Sequence, residues 1–167
     1  MTKKLAKLIF PLCCVLLLAP WPVAYAHDTV NAAEPPVQVT VAEAVPSITA
    51  FGKAIGSVKP GDLFYIDASN SPADIEVSLY LTNASELAHH YRYMILKVGV
   101  YVQSGSNGWE KAGLPDTYLT MRNGGVNFRL QGYAQYRITV EGGSFYCFGT
   151  NKTEGDISPR FYLEVSQ

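Results

Sequence analysis

The sequence predicts an all-β fold, an antiparallel sandwich of two sheets. Beyond residue 37, apolar residues recur at every second position, which is typical of strands that bury one face and expose the other. Clusters of glycine, asparagine, serine and proline interrupt these runs at the spacing of hairpin turns. No helical periodicity competes with this pattern, and only Ser85–His90 could form a single helical turn.

The first 26 residues have the composition of a secretory signal peptide. Three lysines lie within the first seven residues, the apolar run Leu8–Ala19 follows, and Ala24-Tyr25-Ala26 places small residues at a cleavage site. The apolar run is too short for a membrane-spanning helix, which needs about 20 residues. We therefore expect cleavage before His27 and a secreted, cell-surface or periplasmic protein with no membrane span. The lysine-rich leader favours a bacterial source.

The chain after the leader is expected to form one domain behind a short tail. Residues 27–36 are polar, end in two prolines and lack periodicity, which predicts a disordered lead-in to a domain at 37–167. Removal of the leader takes away three of the 13 basic residues and none of the 14 acidic ones, leaving a net charge of −4. This charge disfavours nucleic acid and anionic membrane surfaces as partners.

Four segments show the clearest strand alternation. In Met94–Val102 the even-numbered residues are apolar, so the odd-numbered residues must face away from the core. Asp74–Thr82, Gln135–Glu141 and Phe161–Val165 repeat this period of two. Each segment is therefore predicted to be a half-buried strand of the sandwich.

Three glycine-containing segments are predicted to connect strands. Ser104–Gly108 follows the longest strand, and Arg122–Gly125 holds the Asn-Gly pair that favours a tight hairpin. Glu141–Ser144, with two adjacent glycines, is predicted to turn the chain between Tyr136–Val140 and Phe145–Phe148.

The segment Leu130–Val140 resembles the entry to a late strand in immunoglobulin-like and fibronectin-like domains. The shared pattern is Leu-x-x-Gly followed by Tyr-x-Ile-x-Val. The resemblance implies a tyrosine corner, in which a tyrosine hydroxyl bonds to the backbone of the preceding turn. Tyr136 would fill that structural role, or otherwise Tyr133.

A second set of short motifs resembles the TasA/camelysin-type bacterial matrix proteins. The motifs are Pro60-Gly61-Asp62, Leu81-Thr82-Asn83 and Tyr91-Arg92-Tyr93. This resemblance implies a secreted jelly-roll sandwich that assembles into fibres. The expected sandwich is therefore immunoglobulin-like or jelly-roll.

No catalytic, metal-binding or cofactor motif is found. His27 lies in the lead-in, and His89 and His90, as neighbours, would point to opposite faces of a strand, so no base is placed beside a nucleophile. Cys147, the one cysteine outside the leader, lies in an aromatic run and is expected to be a buried apolar residue. The potential metal ligands lack the sequence spacing of known zinc sites. Whether loop carboxylates bind a calcium ion stays open.

Tyrosine marks the candidate contact surface. Ten of the 11 tyrosines lie outside the leader, and Tyr91, Tyr93 and Tyr101 share the outward parity of the long strand, with Lys97 between Tyr93 and Tyr101. The loop at Ser104–Gly108 returns the chain so that Trp109 lies beside Tyr101. The predicted ligand or partner surface is therefore Tyr93, Lys97, Tyr101 and Trp109, unless Gly99 is a bulge that reverses the register.

These observations favour a non-enzymatic, secreted β-sandwich that acts by binding or by assembly at the cell surface. The expected partner is a protein or a second copy, with a glycan as a further possibility. The alternative function is a carbohydrate-binding domain, or an accessory domain of a secreted hydrolase system. Whether Asn83 and Asn151, which match the N-glycosylation pattern, are modified stays open.

Overall fold

A computed structural model describes residues 36–43, 46–47, 55–106, 108–148 and 157–167. The predicted signal peptide, the lead-in up to residue 35 and Asn151 lie outside these ranges. Within them, no helix is long and apolar enough to cross a membrane.

Strands dominate the described chain, and they form two antiparallel sheets, so the all-β sandwich prediction is confirmed. One short helix accompanies them. The strands are β1 Gln38–Val41, β2 Ile55–Val58, β3 Gly61–Asp67, β4 Ile75–Leu81, β5 Tyr91–Ser104, β6 Gly108–Lys111, β7 Thr117–Thr120, β8 Gly125–Leu130, β9 Gln135–Cys147 and β10 Phe161–Ser166; the helix is α1 Ala84–His90.

The larger sheet has seven strands in the order β1-β3-β9-β5-β6, with β2 added beside β9 and β7 added beside β5. The central strands β5 and β9 pair along most of their length, and each pairs on its other edge with two shorter strands in succession. The smaller sheet has the order β10-β4-β8.

One core cluster draws its side chains from both sheets. The even-numbered residues of β5 from Met94 to Val102 face this core as the sequence predicts, and Leu96 is 0% exposed. From the smaller sheet, Val77 and Leu79 of β4 are equally buried. Cys147 is 2% exposed and unbridged, so it packs as a small apolar side chain.

The prediction that Arg122–Gly125 closes a hairpin is wrong. β7 pairs with β5 in the larger sheet, whereas β8 pairs with β4 in the smaller one, so this turn carries the chain between sheets. The Asn123 side chain organises the turn, because its Oδ1 accepts from the Thr120 N–H at 2.7 Å and its Nδ2 donates to the Tyr118 carbonyl at 3.0 Å. Asn-Gly specifies a tight turn locally but not the sheet that the next strand joins.

The prediction that Glu141–Ser144 turns the chain is also wrong, because β9 runs without a break from Gln135 to Cys147. Instead, the two glycines allow backbone arrangements that a side chain would prevent. A Cβ atom at Gly143 would lie 2.4 Å from the Ile95 carbonyl oxygen. Gly142 has a φ of 148°, a conformation open to glycine.

Helix α1 changes the placement of two features. His89 and His90 lie on its last turn and not on a strand. Asn83 precedes it and is 7% exposed; its Oδ1 accepts from the Arg160 N–H at 2.9 Å, and its Nδ2 donates to the Ser158 carbonyl at 3.0 Å. A glycan on Nδ2 would displace these contacts, so the folded chain uses Asn83 to hold the segment that enters β10.

Tyr136 has the arrangement expected of a tyrosine corner. Its side chain is 4% exposed, and its hydroxyl donates to the Gln131 carbonyl at 2.8 Å. Gly132 is required next to this contact, because a Cβ atom there would lie 2.3 Å from the Ser71 carbonyl oxygen. Tyr133, the other candidate, is 71% exposed.

We predict that Tyr136→Phe lowers the free energy of unfolding by about 0.5–1.5 kcal/mol, because it removes the hydrogen bond from the buried Tyr136 side chain to the Gln131 carbonyl. Denaturant unfolding measures the loss. Tyr133→Phe is the matched control and should be neutral, since that side chain is exposed. Equal effects of the two variants would contradict the corner.

Candidate functional site

The outer face of the seven-stranded sheet, opposite the core, carries all four residues of the predicted surface. The odd-numbered residues of β5 from Tyr93 onward point to it, and Trp109 pairs with Gln103 on the neighbouring β6. The outward position predicted for Tyr91 is wrong: it is 2% exposed and lies in the core, because Arg92 is an extra residue on β5. The second bulge is on β9, so the parity of β5 does not reverse at Gly99. Lys97, Tyr101 and Trp109 share one network of contacts. Tyr93 lies about 26 Å from Tyr101, at eight residues of strand rise.

Glu141 is the centre of that network. The Tyr101 hydroxyl donates to its Oε1 at 2.7 Å, and the Lys111 Nζ lies 2.9 Å from the same oxygen. Lys97 Nζ lies 3.5 Å from Oε2 and 2.9 Å from Asp116 Oδ2. A carboxylate on β9 therefore connects side chains of β5 and β6.

A bulge and a glycine position this carboxylate. Lys97 pairs with Gly142 and Val98 with Val140, so Glu141 is the extra residue on β9. Its side chain lies flat over Gly99, where a Cβ atom would come within 2.5 Å of Oε1. The Lys111 ammonium and then the Tyr101 hydroxyl hold the pKa of Glu141 below its ordinary value.

A row of side chains crosses the sheet beside Glu141. Tyr65 of β3 pairs with Arg137 of β9, Arg137 with Tyr101 of β5, and Tyr101 with Lys111 of β6. The Arg137 guanidinium carbon lies 5.0 Å from the Tyr101 ring centroid and 5.2 Å from that of Trp109. The Trp109 and Tyr65 centroids are 6.1 Å apart. We call Tyr65, Trp109, Arg137 and Tyr101 the aromatic ridge.

Asp62 contacts two residues of the aromatic ridge, Tyr65 and Arg137. It accepts from the Tyr65 hydroxyl at 2.8 Å, a bond that raises the pKa of Tyr65, and it lies 3.5 Å from Arg137 Nη1. Arg137 Nε is buried and has no acceptor among the described residues. The guanidinium thus has more donors than this part of the chain satisfies.

Two open grooves flank the ridge. The larger, of about 670 Å³, is lined by Asp62, Tyr101, Lys111, Arg137 and Glu141, together with backbone and neighbouring residues. The smaller, of about 250 Å³, is lined by Gln38, Thr40, Tyr65, Asp67, Trp109 and Gln135, among others.

The other half of the outer face is apolar. Tyr93 of β5 and Tyr146 of β9 stack with centroids 6.1 Å apart and planes 3° apart, and Ile55 pairs with Tyr146 from β2. Ile95 and Tyr118 continue this surface towards Lys97. The exposed fractions are 64% for Ile55, 41% for Tyr93, 39% for Ile95 and 48% for Tyr118. We call these five residues the apolar patch.

Sequence reasoning missed Tyr65, Arg137, Glu141 and Asp62. The alternation around Tyr136–Val140 placed Arg137 on an outward face, but the cross-strand register that sets it between Tyr65 and Tyr101 leaves no sequence signal. Glu141 was assigned to a turn. Within the described ranges, no three His, Cys, Asp or Glu side chains are grouped to hold a metal ion.

Neither a scan of known protein families nor a search of curated proteins finds a match for this chain. The candidate site is therefore argued from its own geometry.

We predict that Glu141→Gln lowers the free energy of unfolding by about 1–3 kcal/mol at neutral pH, because charge-assisted bonds to Lys111 and Tyr101 are lost. The folded-state pKa of Glu141 is lowered. Its stabilisation is therefore complete above the unfolded value of about 4.3 and disappears as pH falls through the folded value. Urea unfolding should show the gap between wild type and variant narrowing below about pH 4.3.

Glu110→Gln is the control, since Glu110 is an exposed neighbour on β6. A gap for Glu141→Gln that does not change with pH, or an equal effect of Glu110→Gln, would contradict the role given to the Glu141 charge.

Proposed function

We propose that the protein is a secreted, non-enzymatic module that assembles with further copies of itself through the apolar patch. The observation that carries this proposal is the grouping of Ile55, Tyr93, Ile95 and Tyr118, all well exposed, on one sheet face. A contiguous apolar surface of this kind usually marks a protein contact. The leader supports a location outside the cell.

A second copy suits the patch better than an unlike partner does. The five patch residues are uncharged, so they offer no charge pattern for a complementary partner to match. A two-fold interface sets the same surface against itself, and a neutral, apolar face is complementary to its own copy. Arg92, over the Tyr146 ring at 6.0 Å, supplies a polar rim.

We predict that the purified protein is a dimer or larger in light scattering coupled to size exclusion. The double variant Tyr93→Lys with Ile95→Lys should weaken association at least about tenfold, because it places like charges at the centre of the interface. Tyr162→Lys, on the smaller sheet and 56% exposed, is the control and should associate as wild type does.

A monomeric wild type would overturn the proposal. So would strand addition at the edge strand β1, whose four residues are exposed and uncharged. Since the Ala42 N–H bonds to Leu63 of β3, the Val41 N–H points away from β3. Val41→Pro blocks that free edge, and dissociation by this variant, with the patch variant still assembled, would place the contact at β1.

A further inference from the structure

We infer that the two grooves beside the aromatic ridge bind a neutral saccharide chain. This site is separate from the apolar patch, and its residues are not needed for the assembly proposed above.

The rings supply a stacking surface at the border of the grooves. Tyr65 and Trp109 line the smaller groove, Tyr101 lines the larger, and the Arg137 guanidinium holds Tyr101 and Trp109 in place from between them. Tyrosine and tryptophan combine an apolar face with a polar edge. The C–H face of a sugar ring matches such a surface, while its hydroxyl groups need polar neighbours.

The charges at the larger groove are already paired, which favours a neutral ligand. Lys97 and Lys111 pair with Glu141 and Asp116, and Asp62 lies against Arg137. An anionic ligand would meet both carboxylates, and a cationic ligand would meet Arg137 and Lys111. The larger groove has two acidic and two basic side chains and hence no net charge.

Both grooves contain the hydrogen-bonding groups that sugar hydroxyls require. In the larger groove, Arg137 supplies donors and Asp62 supplies a carboxylate acceptor. In the smaller groove Gln135 donates to Asp67 through Nε2, which leaves its amide oxygen turned to other partners.

The length of the site favours a chain over a single sugar. The grooves cross five strands from β1 to β6, about 19 Å at the usual strand spacing. Both grooves are open, so a polymer can lie across the sheet without its ends being enclosed.

The test is native affinity electrophoresis of the purified protein in gels containing hydroxyethylcellulose, laminarin, dextran or galactomannan, with polygalacturonate as the acidic comparison. We expect retardation by at least one neutral polymer. Trp109→Ala should weaken that binding about tenfold or more, as expected for an aromatic at the centre of a contact. Tyr118→Ala, in the apolar patch, is the matched control and should bind as wild type does.

Fluorescence of the wild type gives a readout that needs no variant. After removal of the leader Trp109 is the one tryptophan, so the oligosaccharide of the retarding polymer should shift the tryptophan emission. Affinity measured by calorimetry should stay constant up to about 0.5 M NaCl, because no net charge is engaged.

Retardation by none of the four neutral polymers would overturn the inference, as would binding of polygalacturonate alone with loss of affinity in salt. Binding that disappears in Tyr118→Ala and survives in Trp109→Ala would move the site to the apolar patch. The double lysine variant of the patch should keep saccharide binding, so failure of the assembly proposal leaves this test intact.

Discussion

The pairing of β5 with β9 is the interaction on which the rest of the structure depends. This ladder runs from Tyr91 to Val102, with two bulges, and every other strand of the larger sheet attaches to it directly or through one neighbour. Its inner face supplies Leu96 and Ile138 to the core, and its outer face supplies Tyr101 and Arg137 to the ridge. Because side chains alternate across a strand, the same β5–β9 register positions both the core residues and the residues of the candidate site.

The imbalance between the sheets explains why the outer face is available. Three strands cover the inner face of the larger sheet, and the core cluster lies between them. The outer face has no comparable layer in the described chain, yet it carries the tyrosines Tyr65, Tyr93 and Tyr118 at 36–48% exposure. A sheet with one solvated face usually places polar residues there. These exposed tyrosines are the observation that supports the two proposed contact surfaces.

The sequence was sufficient to predict which face of each strand is buried, but not which strands pair with each other. Alternation identified the buried residues of β5 and the outward position of Tyr101, because burial of one face imposes a period of two. The Asn123-Gly124 and Gly142-Gly143 pairs misled, since glycine permits a turn, a bulge or a close backbone approach equally well. Arg137 and Glu141 could not be assigned to the site, because cross-strand register depends on the whole sheet.

The bulge at Glu141 lies at the border between the charged half and the apolar half of the outer face. On one side of it lie the paired charges and the ridge; on the other, starting at Tyr118 and Ile95, the surface is apolar. The extra residue lets a carboxylate lie over Gly99 and, together with Asp116, neutralise Lys97 and Lys111. The border between the proposed assembly surface and the proposed saccharide site therefore carries paired charges.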